Sequence, residues 1–359
     1  MARYRDDDEV DIAIVGCGAG GGLLAQRLAR KGWRVVVLEK GPFWDPDRDW
    51  VSDEAGSHTI YWTDKRIVGG GDPVQLGKNN SGHGVGGSMV HYAGYTPRFH
   101  PSDFRTQTED GVDADWPYPY DELKPHYERV ERELPVAGQD WPWGDPHSYP
   151  HSPHPISGAA GRAWEGARAA GIEMRVGPVG IANGTFGNRP HCIYRGFCLQ
   201  GCKVNAKASP LVTHVPDALA HGSEVRADCM AARIEVDDAG RCTGVTYLHE
   251  GRERFQRSAA VAVARLLDRD AAAAAALDQR PLPRRARQRH RPGRPLRDGP
   301  GCAAGRGPLP RAHADVQGAA AGGVERAVLR DRPPPWLRAR VLDPDDLPPA
   351  DRLGRARAR

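Results

Sequence analysis

Short apolar runs separated by polar turns organise the first part of the chain. The segments 11–15 and 35–38 are largely apolar and are typical of buried strands, and residues 23–28 place their apolar side chains on one face of a helix. The order strand, helix, strand predicts an α/β fold.

The same patterning continues after a different middle region. Residues 96–204 are rich in Pro, Trp and His, and their pattern predicts a loop-rich region with helices at 128–134 and 158–170. Strand character then returns in three further segments, at 225–234, 244–248 and 259–264.

Glycines at the end of the first strand carry the first functional signal. Gly16, Gly18 and Gly21 form the pattern Gly-x-Gly-x-x-Gly before the helix, and Glu39 follows the second strand. The first glycine allows a sharp turn, the second lets the backbone approach a pyrophosphate, and the third lets the helix pack close to the strand. Glu39 can accept hydrogen bonds from a ribose. The motif predicts a dinucleotide site but does not distinguish FAD from NAD.

A second glycine cluster favours FAD. Gly86, Gly87 and Ser88 follow several other glycines, and His91 ends the same segment. Together the two motifs resemble the glucose–methanol–choline (GMC) family of FAD oxidoreductases, in which a Gly-Gly-Ser/Thr turn packs beside the flavin and its diphosphate. The resemblance therefore implies FAD as the cofactor, places these four residues at its site, and places the backbone near Ala231 against adenine.

The resemblance also implies a domain organisation. It covers residues 8–264, and the segment 116–127 is similar to the one that opens the substrate-side domain of sugar and polyol dehydrogenases in this family. We expect an FAD-binding, Rossmann-like domain built from residues 1–95 and 205–264, with residues 96–204 inserted as a substrate or cap domain. Two positions depart from the family pattern, since His83 replaces the usual arginine and Met89 replaces a small residue.

Three cysteines suggest a second cofactor. Cys192, Cys198 and Cys202 have the spacing C-x5-C-x3-C, and thiolates bind iron–sulfur clusters and zinc. This spacing resembles the large subunits of gluconate, fructose and glucose dehydrogenases, in which it carries a three-iron cluster that passes electrons from flavin to a cytochrome. Two alternatives remain open: ordinary buried thiols, or a disulfide with one cysteine left over.

The composition changes abruptly after residue 264. Residues 265–359 contain no Ser, Thr, Asn, Lys, Ile, Met, Phe or Tyr, and they hold 21 Arg against 11 acidic residues. The chain's net charge of +4 therefore comes from this tail, which carries +10 and leaves −6 on residues 1–264. Such a tail is expected to be disordered, without a native fold. Its charge does not indicate a nucleic-acid partner, because Arg, Ala, Pro and Gly are the residues that GC-rich codons encode in a shifted frame.

The shifted frame can be tested on the sequence itself. Residues 265–274 can be encoded so that a shift of one base reads Gly-Tyr-Ser-Ile-Glu-Thr-Pro-Arg-Leu. In the GMC family a segment of the form Ala-Gly-x-x-x-Thr-Pro-x-Leu-Leu follows the strand at this place. The same shift turns residues 290–300 into a sequence that resembles the family's next Val-Gly-Arg segment. We interpret residues 265–359 as the product of a frameshift near residue 264.

The frameshift bears on activity. The family's catalytic His, with its second His or Asn, lies near the C-terminus, so no catalytic residue can be assigned in this chain. The resemblance implies a dehydrogenase that oxidises the CH–OH group of a sugar, polyol or sugar acid, and the frameshift predicts that the chain is inactive as written. The alternatives are a GMC alcohol oxidase without a cluster and a non-catalytic pseudogene product.

Partners and compartment follow from the same reasoning. A small-molecule alcohol or sugar is the expected substrate, and the resemblance implies a small subunit and a cytochrome c acceptor. No apolar run reaches the roughly 18 residues of a membrane span, so direct membrane insertion is not expected. The first residues do not form a signal peptide, which predicts a cytoplasmic protein, with the periplasm as the alternative if a partner subunit carries the chain there.

Overall fold

A computed structural model describes residues 3–53, 55–61, 66–68, 74–76, 81–112 and 114–264. Residues 265–359 lie outside the described residues, so the disorder and the shifted frame expected of them stay predictions.

The described part of the chain begins with the predicted order strand, helix, strand, and most of its helices precede a final run of five strands. The strands are β1 (Ile12–Val15), β2 (Val35–Leu38), β3 (Arg66–Val68), β4 (Val74–Leu76), β5 (Glu224–Arg226), β6 (Met230–Val236), β7 (Cys242–His249), β8 (Arg252–Arg257) and β9 (Val261–Val263). The helices are α1 (Ala19–Arg30), α2 (Thr106–Asp110), α3 (Tyr120–Glu133), α4 (Gly158–Ala169) and α5 (His214–Ala220).

A parallel sheet has the strand order β5-β2-β1-β9. α1 connects β1 to β2 and packs beside α5 on one face of this sheet. The predicted α/β class is therefore confirmed.

The central strands β1 and β2 are covered on both faces. Successive side chains of a strand point to opposite sides, so each of these strands contributes to two cores. Ile14 and Val37 pack with Leu28 of α1 in the core on the helical side. Ala13 and Val36 pack in a second core on the other side, where β7 contributes apolar side chains. These central strands therefore lie between helices and a second layer of strands.

That second layer is an antiparallel sheet of order β6-β7-β8. The segment 225–234, which reads as one strand in the sequence, is divided between the two sheets. Arg226 ends the strand that joins the parallel sheet, and Met230 begins the strand that joins the antiparallel one. Asp228 lies between them with a φ of +53°, a left-handed conformation that turns the chain.

The middle region contains the two expected helices, one of them longer than predicted. α3 overlaps the predicted 128–134 and ends one residue earlier, at Glu133. It already begins at Tyr120, with Asp121 and Glu122 in its first turn, where negative charge favours a helix start. α4 begins at Gly158 and ends at Ala169, and the hydroxyl of its N-cap residue Ser157 accepts a hydrogen bond from the Ala160 amide at 3.2 Å.

Candidate functional site

The first glycine motif forms a tight turn between β1 and α1. Gly16 has a φ of +97°, which favours glycine, and its amide donates to the Leu38 carbonyl at 2.9 Å. A Cβ on Gly21 would lie 2.0 Å from the Gly16 carbonyl oxygen, so only glycine allows the helix to start this close to the strand. Gly18 precedes α1, whose first turn holds no acidic residue and receives no side-chain cap. The helix start is therefore suited to bind an anion.

The second glycine motif packs directly on the first. The amide of Gly86 donates to the Cys17 carbonyl at 2.9 Å. Gly87 has a φ of +57°, and a Cβ built on it would lie 2.7 Å from the Gly18 Cα. The two motifs, about 70 residues apart in sequence, thus form one continuous backbone surface.

The carboxylate of Glu39 holds this surface together. It is buried, with 7% of the residue exposed. One oxygen accepts from the Cys17 amide at 2.8 Å, and the other accepts from the amides of Gly41 and Gly84 at 3.0 and 3.1 Å. Burial and this nearby negative charge raise the pKa of the Cys17 thiol to about 12, so Cys17 is a neutral core residue. The ribose contact expected of Glu39 stays a prediction, and the structure adds a bridging role that the sequence did not reveal.

A cavity of about 430 Å³ lies over the joined motifs. Six of the predicted cofactor residues line it: Gly16, Gly18, Glu39, Gly87, Ser88 and Ala231. Gly21, Gly86 and His91 do not line it: Gly21 lies against the Gly16 carbonyl, and Gly86 lies against Val90 and Leu211. Sequence analysis missed the other lining residues, which include Lys40, Ser81, His83, Met89 and Met230. Lys40, Met89 and Met230 adjoin predicted positions, and Ser81 and His83 precede the second glycine motif in the same segment.

His91 is buried at the end of the 3-10 helix Gly87–Val90. Its ring centroid lies 4.5 Å from that of Tyr61, and its Nε2 has no hydrogen-bond partner within the described residues. Burial, with a smaller contribution from the positive charge of Lys207, lowers the pKa of His91 to about 4. The imidazole is therefore neutral at neutral pH.

The three cysteines singled out by their spacing line a second cavity, of about 320 Å³. All three are free thiols, so the disulfide alternative has no support here. Cys192 Sγ accepts from the Tyr194 amide at 3.3 Å, and Cys202 Sγ accepts from the Lys207 amide at 3.4 Å. Burial raises the pKa of the Cys198 thiol, and the charge of Lys207 opposes this rise.

The metal site predicted for these cysteines stays a prediction. Across the described ranges, no group of three or more His, Cys, Asp or Glu side chains is arranged to hold a single metal ion. The cavity also includes His154, which sequence analysis did not connect with the cysteines. Its Nδ1 lies 3.1 Å from the Tyr194 hydroxyl and its Nε2 lies 3.0 Å from the Ile181 carbonyl oxygen.

The membrane prediction can be compared with the helices of the structure. Within the part of the chain that is described, no helix is both long and apolar enough to cross a bilayer.

Known proteins resemble the chain over these same regions. Residues 75–266 match the sequence profile of the family described as GMC oxidoreductase. The 2-methyl-1,2-propanediol dehydrogenase of Mycolicibacterium austroafricanum is 30% identical over 67% of the chain and 46% of the relative. Paromamine 6'-oxidase of Streptomyces fradiae is 30% identical over 68% and 45%. The fructose dehydrogenase large subunit of Gluconobacter japonicus is 27% identical over 66% and 48%.

The chain was also compared with solved structures. A formate oxidase aligns with a TM-score of 0.46 and 17% identity, over 72% of this chain and 46% of that one. The chain thus spans about half the length of the curated relatives it matches. The profile match over more than half of its residues, together with relatives at 30% identity, shows that the chain belongs to the GMC oxidoreductase family.

Proposed function

We propose that the chain is part of an FAD-dependent oxidoreductase that acts on the CH–OH group of a sugar, polyol or sugar acid. The observation that carries this proposal is the cavity in which two glycine motifs, a bridging carboxylate and the start of β6 meet. Family membership supports the reaction type. The names of the relatives refer to a diol, to paromamine and to fructose, which supports a substrate that carries hydroxyl groups.

The residues of this cavity fit FAD. The surface between Gly18 and Gly87 is bare backbone beside an uncapped helix start, which suits a diphosphate. Glu39 and Ala231 would hold the adenosine end, and Ser88 would lie toward the flavin. When bound, the flavin accepts a hydride from the carbon of the substrate's CH–OH group. The chain's own contribution is to bind the cofactor, orient it and exclude water from it.

FAD binding by the purified full-length chain tests the first part of this proposal. Titration of apoprotein into FAD is expected to quench flavin fluorescence to saturation at one FAD per chain, with a Kd in the micromolar range or tighter (roughly 8 kcal/mol). Absence of saturable binding would overturn the proposal and favour the non-catalytic alternative. The substrate class is then tested by anaerobic flavin bleaching with a panel of sugars, polyols and sugar acids.

A finer proposal concerns electron transfer. Cys192, Cys198 and Cys202 would hold a three-iron cluster that passes electrons from flavin to a cytochrome c, with a small subunit as a further partner and the periplasm as a possible compartment. Three free thiols around one cavity support it, and two of them accept backbone N–H bonds, as the sulfurs of iron–sulfur sites do. Bound FAD with no iron or acid-labile sulfide after reconstitution would instead favour an oxidase without a cluster.

We also propose that residues 265–359 are translated from a shifted frame and that the chain as written therefore has little turnover. The composition of this segment and the two family-like sequences in the shifted frame support the proposal. Sequencing the gene across the codons for Ala264 and Arg265 tests it. An added or missing base in the sequence record would restore the family's C-terminal half. An unchanged sequence, with steady-state oxidation of an alcohol by the pure chain, would overturn it.

A further inference from the structure

Lys207 is the most deeply enclosed cation near the two cavities, with 2% of the residue exposed. Its Nζ donates to three backbone carbonyls: those of Val90 at 2.9 Å, Tyr92 at 2.8 Å and Cys198 at 2.5 Å. An ammonium group has three donors, so these bonds use all of them. The side chain is therefore committed to the backbone and does not face either cavity as a free charge.

The three acceptors belong to two different sites. Val90 and Tyr92 flank His91 at the end of the 3-10 helix Gly87–Val90, whose first three residues line the cofactor cavity. Cys198 lines the cysteine cavity. One side chain thus joins a segment from each cavity through hydrogen bonds that do not depend on the identity of the acceptor side chains.

Tyr92 makes a second set of contacts between the same two segments. The Tyr92 hydroxyl donates to the carbonyl of Ala208 at 2.9 Å, and the Tyr92 ring centroid lies 5.0 Å from the ammonium nitrogen of Lys207. Segment 90–92 is therefore held both by Lys207 and by Ala208, the next residue along the chain. The amide of Lys207 also donates to Cys202 Sγ, which fixes the other end of the cysteine segment.

Energetics argue for a specific role of the lysine. A hydrogen bond from a charged group contributes about 1.5–3 kcal/mol, and a buried acceptor left without a partner costs about 1–3 kcal/mol. An apolar side chain of similar length could fill the space, but it would leave three carbonyls without this donor. Arginine keeps the charge, but its planar fork does not reproduce three donors on one atom.

We propose that Lys207 is a positioning residue that locks the cofactor-side segment 90–92 and the cysteine segment 198–202 into one unit, so that the shape of the FAD cavity depends on the cysteine segment. The link between the segments stands on its own. Its consequence for FAD rests on the proposed function.

Hydrogen–deuterium exchange on the full-length chain without added cofactor tests the link directly. In Lys207→Met, peptides covering 88–92 and 197–203 are expected to exchange at least about tenfold faster, which corresponds to about 1.4 kcal/mol of lost protection, while β1 and β2 stay unchanged. The matched control is Lys124→Met, because Lys124 is more exposed and donates to Asp145 at 2.9 Å. Faster exchange in only one of the two segments, or in neither, would overturn the proposal.

A second variant covers the case in which Lys207→Met loses protection throughout the chain. Lys207→Arg then decides: faster exchange confined to the same two segments supports the lock, and uniform or wild-type exchange overturns it. FAD titration of the same proteins separates this inference from the proposed function. Wild-type protein that fails to bind FAD overturns the proposed function and leaves the exchange result valid. If the wild type binds FAD and the Kd is at least about tenfold weaker in Lys207→Met but unchanged in Lys124→Met, the result supports both the proposed function and the role of Lys207.

Discussion

Gly18 and Gly87 meet backbone to backbone, close enough that a Cβ on Gly87 would lie 2.7 Å from the Gly18 Cα. The first residue precedes α1 and the second begins the 3-10 helix of the other glycine motif. Because both line the same cavity, the contact between them sets the shape of its floor.

Gly87→Ala is expected to disturb this contact and to weaken FAD binding. The new Cβ would clash with Gly18, and the left-handed φ of +57° at this position is unfavourable for alanine. We therefore expect a loss of about 1–3 kcal/mol in the free energy of unfolding. Urea unfolding and FAD titration measure the two effects. The matched control is Gly166→Ala in α4, where an added Cβ meets nothing within 4 Å and should stabilise the helix by up to about 1 kcal/mol. Equal stability of the two variants would contradict this prediction.

Glu39→Gln tests the bridging carboxylate. The amide keeps the size of the side chain but replaces an accepting oxygen with a donor that faces a backbone N–H. We expect a loss of about 1–3 kcal/mol in the free energy of unfolding, together with weaker FAD binding. Glu122→Gln is the control, because that side chain is exposed in the first turn of α3. Unchanged stability in Glu39→Gln would mean that the three N–H bonds of Glu39 do not hold the motifs together.

Local patterns explain how much of this architecture the sequence predicts. The turn at Gly16 and the start of α1 follow from residues close together in the chain, and the α/β class follows from their order. The partners of Glu39 could not be predicted, because Gly84 lies 45 positions away and reaches the carboxylate only after the fold has formed. The hydrogen bonds of Lys207 to residues more than 100 positions away were missed for the same reason.

The division of segment 225–234 between two sheets has a related cause. Its apolar composition suits a strand throughout, and only the left-handed conformation of Asp228 separates β5 from β6. A non-glycine residue in that conformation is uncommon and gives no pattern that sequence analysis can use. Similarly, the three cysteines could be placed around one cavity from their spacing, but the contribution of His154 to that cavity could not.

The ion pair between Arg98 and Glu131 gives a prediction for the stability of the region 96–204. Arg98 Nε and Nη2 donate to the two carboxylate oxygens at 2.6 and 2.7 Å, and both side chains are buried. Arg98→Met leaves the carboxylate buried without its cation and is expected to cost about 3–5 kcal/mol in the free energy of unfolding. The double variant Arg98→Met/Glu131→Met should recover most of that loss. Equilibrium unfolding of the four proteins of this cycle checks it, and additive losses would contradict the prediction.

The buried His91 is expected to make the free energy of unfolding depend on pH. Burial lowers the pKa of His91 from 6.5 to about 4 in the folded chain, so the unfolded chain binds more protons between these values. Stability is therefore expected to fall as the pH drops from 6.5 toward 4, with the full contribution present above 6.5. Each pKa unit corresponds to about 1.4 kcal/mol, which gives a loss of about 2 kcal/mol between pH 7.5 and 5 from this residue.

Urea unfolding at several pH values measures this dependence against a variant that cannot titrate. His91→Gln is expected to lose less stability on acidification than the wild type, whatever its absolute stability, because glutamine binds no proton in either state. The exposed His191 provides the control, and His191→Gln should keep the wild-type slope. Parallel pH profiles for wild type and His91→Gln would show that His91 can accept a proton in the folded state. That result would rule out a neutral, buried imidazole at position 91.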